Sequence, residues 1–219
     1  VHVEAIPTDA LPPRAALWIA DRVWSAVAQR GVAHLAVSGG RTPGSMLRAL
    51  DGLPVPWGQL HIWQVDERVA PDGHADRNAT DLVAALPGRT LHLMPVTASD
   101  LVAAAGEYGA ELAAACGGVL DVIHLGLGDD GHTASWPPGD PVIGVTDRNV
   151  AIAGPFHERL RMTLTVSVVN RARLCMVLVA GAEKADAVTK MLAGDRSVPA
   201  GHIPADAVVL TDPAALASQ

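Results

Sequence analysis

Val122–Pro138, VIHLGLGDDGHTASWPP, decides how this chain is read. Val122 to Leu127 is an apolar run with the length and composition of a buried strand. Gly126 and Gly128 end it, where a backbone without Cβ can turn tightly or approach a ligand closely. Asp129, Asp130, Gly131, His132 and Thr133 follow as a polar cluster at the strand's carboxyl end. An open α/β sheet holds its ligand crevice at that end. A histidine there changes charge near neutral pH, and neighbouring carboxylates tune its titration and orient its ring. An isolated Asp-Gly-His is more often a solvated turn; two upstream segments with the same layout argue otherwise here.

The first is His34–Val37, a short apolar strand that runs into Ser38-Gly39-Gly40-Arg41-Thr42-Pro43. Pro43 fits a first helical turn, and Met46, Leu47 and Leu50 give that helix an apolar face. A Gly-rich turn entering a helix N-terminus presents consecutive backbone N–H groups to an anion, and Ser38, Arg41 and Thr42 add donors. The segment is neither a dinucleotide fingerprint nor a Walker loop, so it does not indicate a nucleotide. The second is Leu60–Val65, which ends at Asp66-Glu67-Arg68. These residues supply a carboxylate for acid–base or orienting work and a planar guanidinium fork for an anion.

Outward from these segments, strands and helices alternate. Pro12 and Pro13 open a helix that runs at helical spacing to Gly31; Asp76 or Asn78 is placed to cap a helix through Leu86, and Ser99 or Asp100 one through Ala115. Val150–Ala153 and Met162–Thr165 read as short strands, Leu174–Ala180 as a strongly apolar one, and Glu183–Leu192 as a helix closed by Gly194. The pattern predicts an α/β fold: a single Rossmann-like domain over 1–219, with a mostly parallel sheet and helices on both faces.

Sixteen basic against twenty-three acidic residues give a net charge of −7, without the clustered Lys and Arg of a nucleic-acid surface. With only two lysines in the chain, any anion site must lean on arginine, on backbone N–H groups, or on Lys184 and Lys190. No apolar stretch is long enough to span a bilayer and no signal peptide is evident, so a cytoplasmic protein is expected. Cys116 and Cys175 are too few and scattered for a metal cluster or disulfide framework, and Cys175 reads as a small core residue. His124 alternates with Ile123 and Leu125 and is expected in the core, with His61 and His92 similarly placed. Trp18 and Trp24 read as core positions on the first helix, and Trp136 as a candidate pocket wall.

The combination SGGRTP, WQVDERV with a downstream RNATDL, HLGLGDDGHTASWPPG, RMTLT at 161–165 and GAEKA at 181–185 resembles the 6-phosphogluconolactonases. The resemblance runs from about Val37 to Leu192. It implies a Rossmann-like fold shared with glucosamine-6-phosphate deaminases, and hydrolysis of 6-phosphoglucono-δ-lactone without a metal or other cofactor. It also implies His132 as the base, with Asp66 or Asp130 fixing its tautomer. The phosphate is assigned to Ser38, Gly39, Gly40, Arg41 and Thr42, to Arg68 or Arg161, and to Lys184. Two departures stand near the expected site: Trp136-Pro137 replaces the family's usual Leu-Phe pair, and Phe156-His157-Glu158-Arg159-Leu160 replaces a proline-rich stretch. The rival readings are a sugar-phosphate isomerase or deaminase and a non-catalytic sugar-phosphate sensor. Deaminases of this type carry a DEY triad and an FNEP-like segment, where this chain has Arg68 and SWPP. The expected partner is therefore a small sugar-phosphate lactone, with no nucleic acid and no membrane.

Overall fold

The computed structural model describes residues 1–217. Ten strands and seven α-helices occur among them. In chain order they are β1 (His2–Ala5), α1 (Leu11–Arg30), β2 (Ala33–Val37), α2 (Arg41–Asp51), β3 (Leu60–Gln64), β4 (Asp66–Arg68), α3 (Asn78–Ala85), β5 (Thr90–His92) and α4 (Leu101–Cys116). Then follow β6 (Val122–Leu125), β7 (Val150–Phe156), β8 (Arg159–Leu164), α5 (Val166–Arg171), β9 (Cys175–Val179), α6 (Ala185–Leu192), β10 (Val208–Thr211) and α7 (Pro213–Leu216).

Seven strands form one sheet in the order β1-β10-β9-β6-β2-β3-β5, and every pairing in it is parallel. β2, β6 and β9 are buried on both faces, which is why AHLAV, VIHL and CMVLV are almost continuously apolar. Alternate residues feed two cores. Leu35, Val37, Val122, Met176 and Leu178 pack with α1, α2 and α3, while Ala36, Ile123, Leu125, Val177 and Val179 pack with α4, α5 and α6. The α/β architecture with helices on both faces is thus as the sequence predicts.

Helix boundaries follow local chemistry. Prolines occupy the first turn of α1, and Gly31 closes it at φ 78° with its N–H on the Val27 carbonyl. The Asp100 carboxylate accepts the Val102 and Ala103 N–H groups and caps α4. Neither Asp76 nor Asn78 caps α3. The Asn78 and Ala79 N–H groups go instead to the carboxylate of Glu67, at 2.8 Å each.

A second sheet is absent from the sequence reading. β4, β8 and β7 form an antiparallel layer, with β8 in the middle. The strands expected at 150–153 and 162–165 therefore lie outside the parallel sheet, and Asp66-Glu67-Arg68 is a strand rather than a loop. Val65 joins the layers: its N–H bonds the Val37 carbonyl at 3.0 Å, and its carbonyl accepts from Leu164 at 2.8 Å. β7 turns into β8 through His157 and Glu158, at φ 47° and 63°, a two-residue hairpin with both residues left-handed. The pairing shifts register between Ala153 and Phe156.

Trp24 is 51% exposed, its indole N–H donating to the Pro54 carbonyl, so it is not a core residue. Trp136 is fully buried and donates to the Leu164 carbonyl at 2.8 Å; it supports the small sheet and does not line the crevice. His124 lies in the core as expected, but among the described residues neither ring nitrogen has a partner.

Burial pushes the His124 pKa down from 6.5 to about 3. Between those values the unfolded chain binds a proton that the native state refuses, so stability falls as pH drops through 6.5. Urea unfolding at pH 5 should show about 2 kcal/mol less stability from this residue than at pH 7. A His124→Met variant should lose that share of the slope; an unchanged slope would show that His124 is protonated in the native state.

Candidate active site

The carboxyl ends of β2, β6 and β9, with β4 and β8 beside them, surround a crevice of about 340 Å³. Ser38, Gly39, Gly40, Arg41, Thr42, Asp66, Arg68, His132, Arg161 and Lys184 all line it. Segments far apart in sequence converge because a parallel sheet delivers every strand in the same direction, so their following loops share one rim. Asp130 stands just behind, in contact with His132.

His132 owes its position to a tight loop after β6. The Gly128 N–H bonds the His132 carbonyl at 2.8 Å, and Gly131 turns at φ 83°. Thr133 Oγ1 donates to the Gly126 carbonyl at 2.7 Å, and Asp130 Oδ1 accepts the His132 backbone N–H at 3.0 Å. The same oxygen lies 2.6 Å from His132 Nδ1. Burial opposes the charge of Asp130, but these bonds from His132 outweigh it and hold the carboxyl below its usual range. An ionised Asp130 accepts from Nδ1–H, which leaves Nε2 as the basic nitrogen.

Asp66 has a different partner. Its Oδ2 accepts from Ser135 Oγ at 2.6 Å, and its backbone carbonyl accepts from Asn78 Nδ2 at 3.0 Å. Burial raises its pKa, against the pull of Ser135, Arg68 and Arg161. Of the two carboxylates left open by the sequence, Asp130 is the one that meets His132.

The positively charged side of the crevice is assembled from three places. Gly40, at φ 120°, precedes α2, whose N-terminus carries no side-chain cap among the described residues. Its first-turn N–H groups and partial positive charge therefore face the crevice. Arg68 and Arg161 lie directly opposite each other on β4 and β8. Like charges in that relation repel. Burial, then the charge of Arg68, push the Arg161 guanidinium below its ordinary pKa. Lys184 belongs to the single 3-10 turn Ala182–Lys184 ahead of α6, not to the helix, with its Nζ 3.8 Å from Asp129.

Three residues that build this floor were not singled out as site residues from the sequence: Glu67, Arg77 and Asn78. Glu67 is fully buried and accepts from Gln64 Nε2, the Arg68 N–H and the two α3 amides. Arg77 Nε stands 3.1 Å from it, an ion pair by distance rather than a well-aligned hydrogen bond. Asn78 reaches both Asp66 and the crevice wall. The buried carboxylate beside two arginines in DERV and RNATDL was the available signal. Among the described residues, no three His, Cys, Asp or Glu side chains group as ligands for a metal.

Fold and crevice define a class: a doubly wound α/β domain that brings an oriented histidine into an arginine-lined crevice beside a helix N-terminus. The chain belongs to the family of glucosamine-6-phosphate isomerases and 6-phosphogluconolactonases, whose model matches residues 7–213. It is 37% identical over 192 residues to the 6-phosphogluconolactonase of Synechocystis sp., covering 82% of this chain and 80% of that protein. It is 34% identical over 216 residues to the Streptomyces coelicolor 6-phosphogluconolactonase, covering 88% and 81%. The crystal structure of a Thermotoga maritima 6-phosphogluconolactonase superposes with a TM-score of 0.87 at 24% identity, covering 96% of this chain and 98% of that one. A monomeric glucosamine-6-phosphate deaminase superposes at 0.84 with 20% identity, covering 99% and 100%, so the fold alone does not choose between the chemistries.

A Cβ at Gly128 would collide with His132 Nδ1 and Asp130 Oδ1. Gly128→Ala should therefore break the Asp130–His132 contact and cost about 1–3 kcal/mol of stability. Imidazole nitrogen NMR signals, with thermal unfolding alongside, check this; unchanged His132 signals would show that the loop absorbs the methyl group.

Proposed function

We propose that this chain hydrolyses 6-phosphoglucono-δ-lactone to 6-phosphogluconate, the lactonase step of the oxidative pentose phosphate pathway, with His132 as general base. One observation carries the reading: a histidine whose Nδ1 is held by Asp130 shares a crevice with an uncapped helix N-terminus and an opposed arginine pair. The names of the relatives agree with it. The reading takes residues 1–219 as one domain acting in the cytoplasm on a small molecule, with neither nucleic acid nor membrane as partner. No helix among the described residues is long and apolar enough to cross a membrane.

The chemistry follows from the placement. Nε2 of His132 accepts a proton from water as its oxygen attacks the lactone carbonyl. The tetrahedral oxyanion develops within the positive field of the crevice, where fixed donors need no reorganisation. When the bond from C1 to the ring oxygen breaks, the imidazolium returns the proton to that oxygen, giving a hydroxyl and a carboxylic acid, which releases its own proton to solvent and becomes the carboxylate. Asp130 holds the tautomer and steadies the imidazolium between these steps. The phosphate is bound by residues 38–42 at the start of α2, with Arg68 or Arg161 and Lys184. Asp66 is bonded to Ser135, so its contribution is to the electrostatics of the arginine pair rather than to the orientation of the base.

His132→Ala should lower kcat by about 10²–10⁴-fold with the fold intact. Acid release is followed at constant pH, with spontaneous lactone hydrolysis subtracted. A folded variant of near wild-type rate would remove His132 from the mechanism, and ammonia released from glucosamine 6-phosphate would favour the deaminase chemistry.

Lys184→Ala or Arg68→Ala should raise KM for the phosphorylated lactone far more than for unphosphorylated gluconolactone. One lost charge-assisted bond corresponds to about ten- to a hundredfold in kcat/KM. Equal effects on both substrates would take these residues out of the phosphate site.

A further inference from the structure

We infer that Phe156 is a positioning residue for His132, its ring fixing the imidazole so that Nδ1 stays on Asp130 and Nε2 stays free for the lactone. The inference rests on the assignment of His132 as base and goes beyond it. Phe156 is the sole phenylalanine of the chain and lies in a segment that departs from the family pattern.

Three contacts support it. The Phe156 and His132 rings meet edge to face, with centroids 5.1 Å apart and planes at 71°. That is the favoured geometry of an aromatic pair, and it restricts rotation of both rings. The Arg161 guanidinium lies 5.4 Å from the same ring, and the Phe156 carbonyl accepts from Arg161 Nη2 at 3.0 Å and Nε at 3.3 Å. One residue therefore touches both the proposed base and an arginine of the proposed anion site.

Phe156 is itself held in place. It pairs with Arg159 across the two-residue turn, and Arg159 Nη2 and Nε both reach Asp76 Oδ2, at 2.9 and 3.1 Å. The Asp76 carbonyl accepts from Arg68 Nη1 at 2.9 Å. The hairpin tip is thus tied to β4, which fixes the backbone from which the Phe156 ring projects toward His132. Among the described residues the one hydrogen-bond partner of the imidazole is Asp130, whose carboxylate is partly exposed. A half-exposed histidine with one hydrogen bond can rotate about χ2; a ring against its face or edge removes that freedom.

The residue acts through another, so the test separates turnover from binding. Phe156→Ala should lower kcat about ten- to a hundredfold while KM for the phosphorylated lactone changes less than threefold, because the carbonyl that holds Arg161 remains. Phe156→Tyr, which keeps the ring, should restore most of kcat, and Phe156→Leu, which keeps bulk without a ring, should not. In long-range proton–nitrogen NMR spectra the wild-type His132 should show one tautomer, protonated on Nδ1, and Phe156→Ala a mixture of both. Thermal unfolding of each variant controls for folding. Wild-type kcat and a single tautomer in Phe156→Ala would overturn the inference, as would full rescue by Leu. His132→Ala in the same series tells the two failures apart. If it is inactive while Phe156→Ala is not, positioning alone is wrong; if it is active, the base assignment is wrong.

Discussion

The crevice depends on one constraint: residues 60–68 are a single extended segment that belongs to two sheets. β3 is locked into the parallel sheet, Val65 bonds to both layers, and β4 continues into the antiparallel sheet. Glu67 makes the crossing rigid. Its carboxylate ties Gln64, the Arg68 amide and the first turn of α3 to one buried point, and Arg77 supplies the opposite charge. Gln64 extends the lock through its other amide atom, which accepts the Met94 N–H at 2.7 Å, and Tyr108 binds its backbone. A buried carboxylate with four donors and a cation is fully satisfied, and losing one partner of such a pair commonly costs about 3–5 kcal/mol. Asp66 and Arg68 flank this point and inherit its rigidity.

The electrostatics of the crevice are arranged against stability and toward a ligand. Two arginines face each other across β4 and β8, a helix N-terminus lacks a side-chain cap among the described residues, and an Asp with a raised pKa sits beside them. The arginine pair and the uncapped helix end are unfavourable in an empty pocket and favourable around an anion, while Asp66 offsets part of the arginine charge. Local and global preferences conflict here, the expected pattern where function competes with folding; outside the crevice, the unpartnered His124 in the core is a further conflict.

Most of the parallel sheet was legible because buried strands are short apolar runs and their loops carry Gly, Asp and Ser. The crevice was legible for the same reason: parallel strands bring their carboxyl ends together, so Ser38, Asp66 and His132 had to converge once the strands were recognised. The antiparallel layer was not. Val150–Ala153 and Met162–Thr165 read as strands, and RLRMTL alternates polar with apolar, but no local signal says which sheet a strand joins, and the three charged residues Asp66–Arg68 show no alternation. β1, β5 and β10 were missed: three or four residues carry no period, and unlike the equally short β6 none of them runs into a glycine-rich loop. The cap of α3 could not be read locally, since its acceptor lies eleven residues upstream in another sheet. The choice of Asp130 over Asp66 needed coordinates: both flank the crevice, and only their hydrogen bonds separate them.

The rims of the sheets bear on how copies of this chain behave beside one another. A parallel sheet ends in strands whose outer N–H and C=O groups have no neighbour, and a long flat rim is a template on which another molecule can add a strand. Here one rim of the large sheet is β5, three residues long, and the other is β1, four residues long. The small sheet exposes the longer β7, but its register breaks at Ala153–Phe156, so the rim is not a straight ladder. Each rim thus offers a foreign strand at most a few aligned hydrogen bonds. In a chain that is nearly half apolar, the most adhesive backbone is in this way kept short or bent, which limits strand addition between copies.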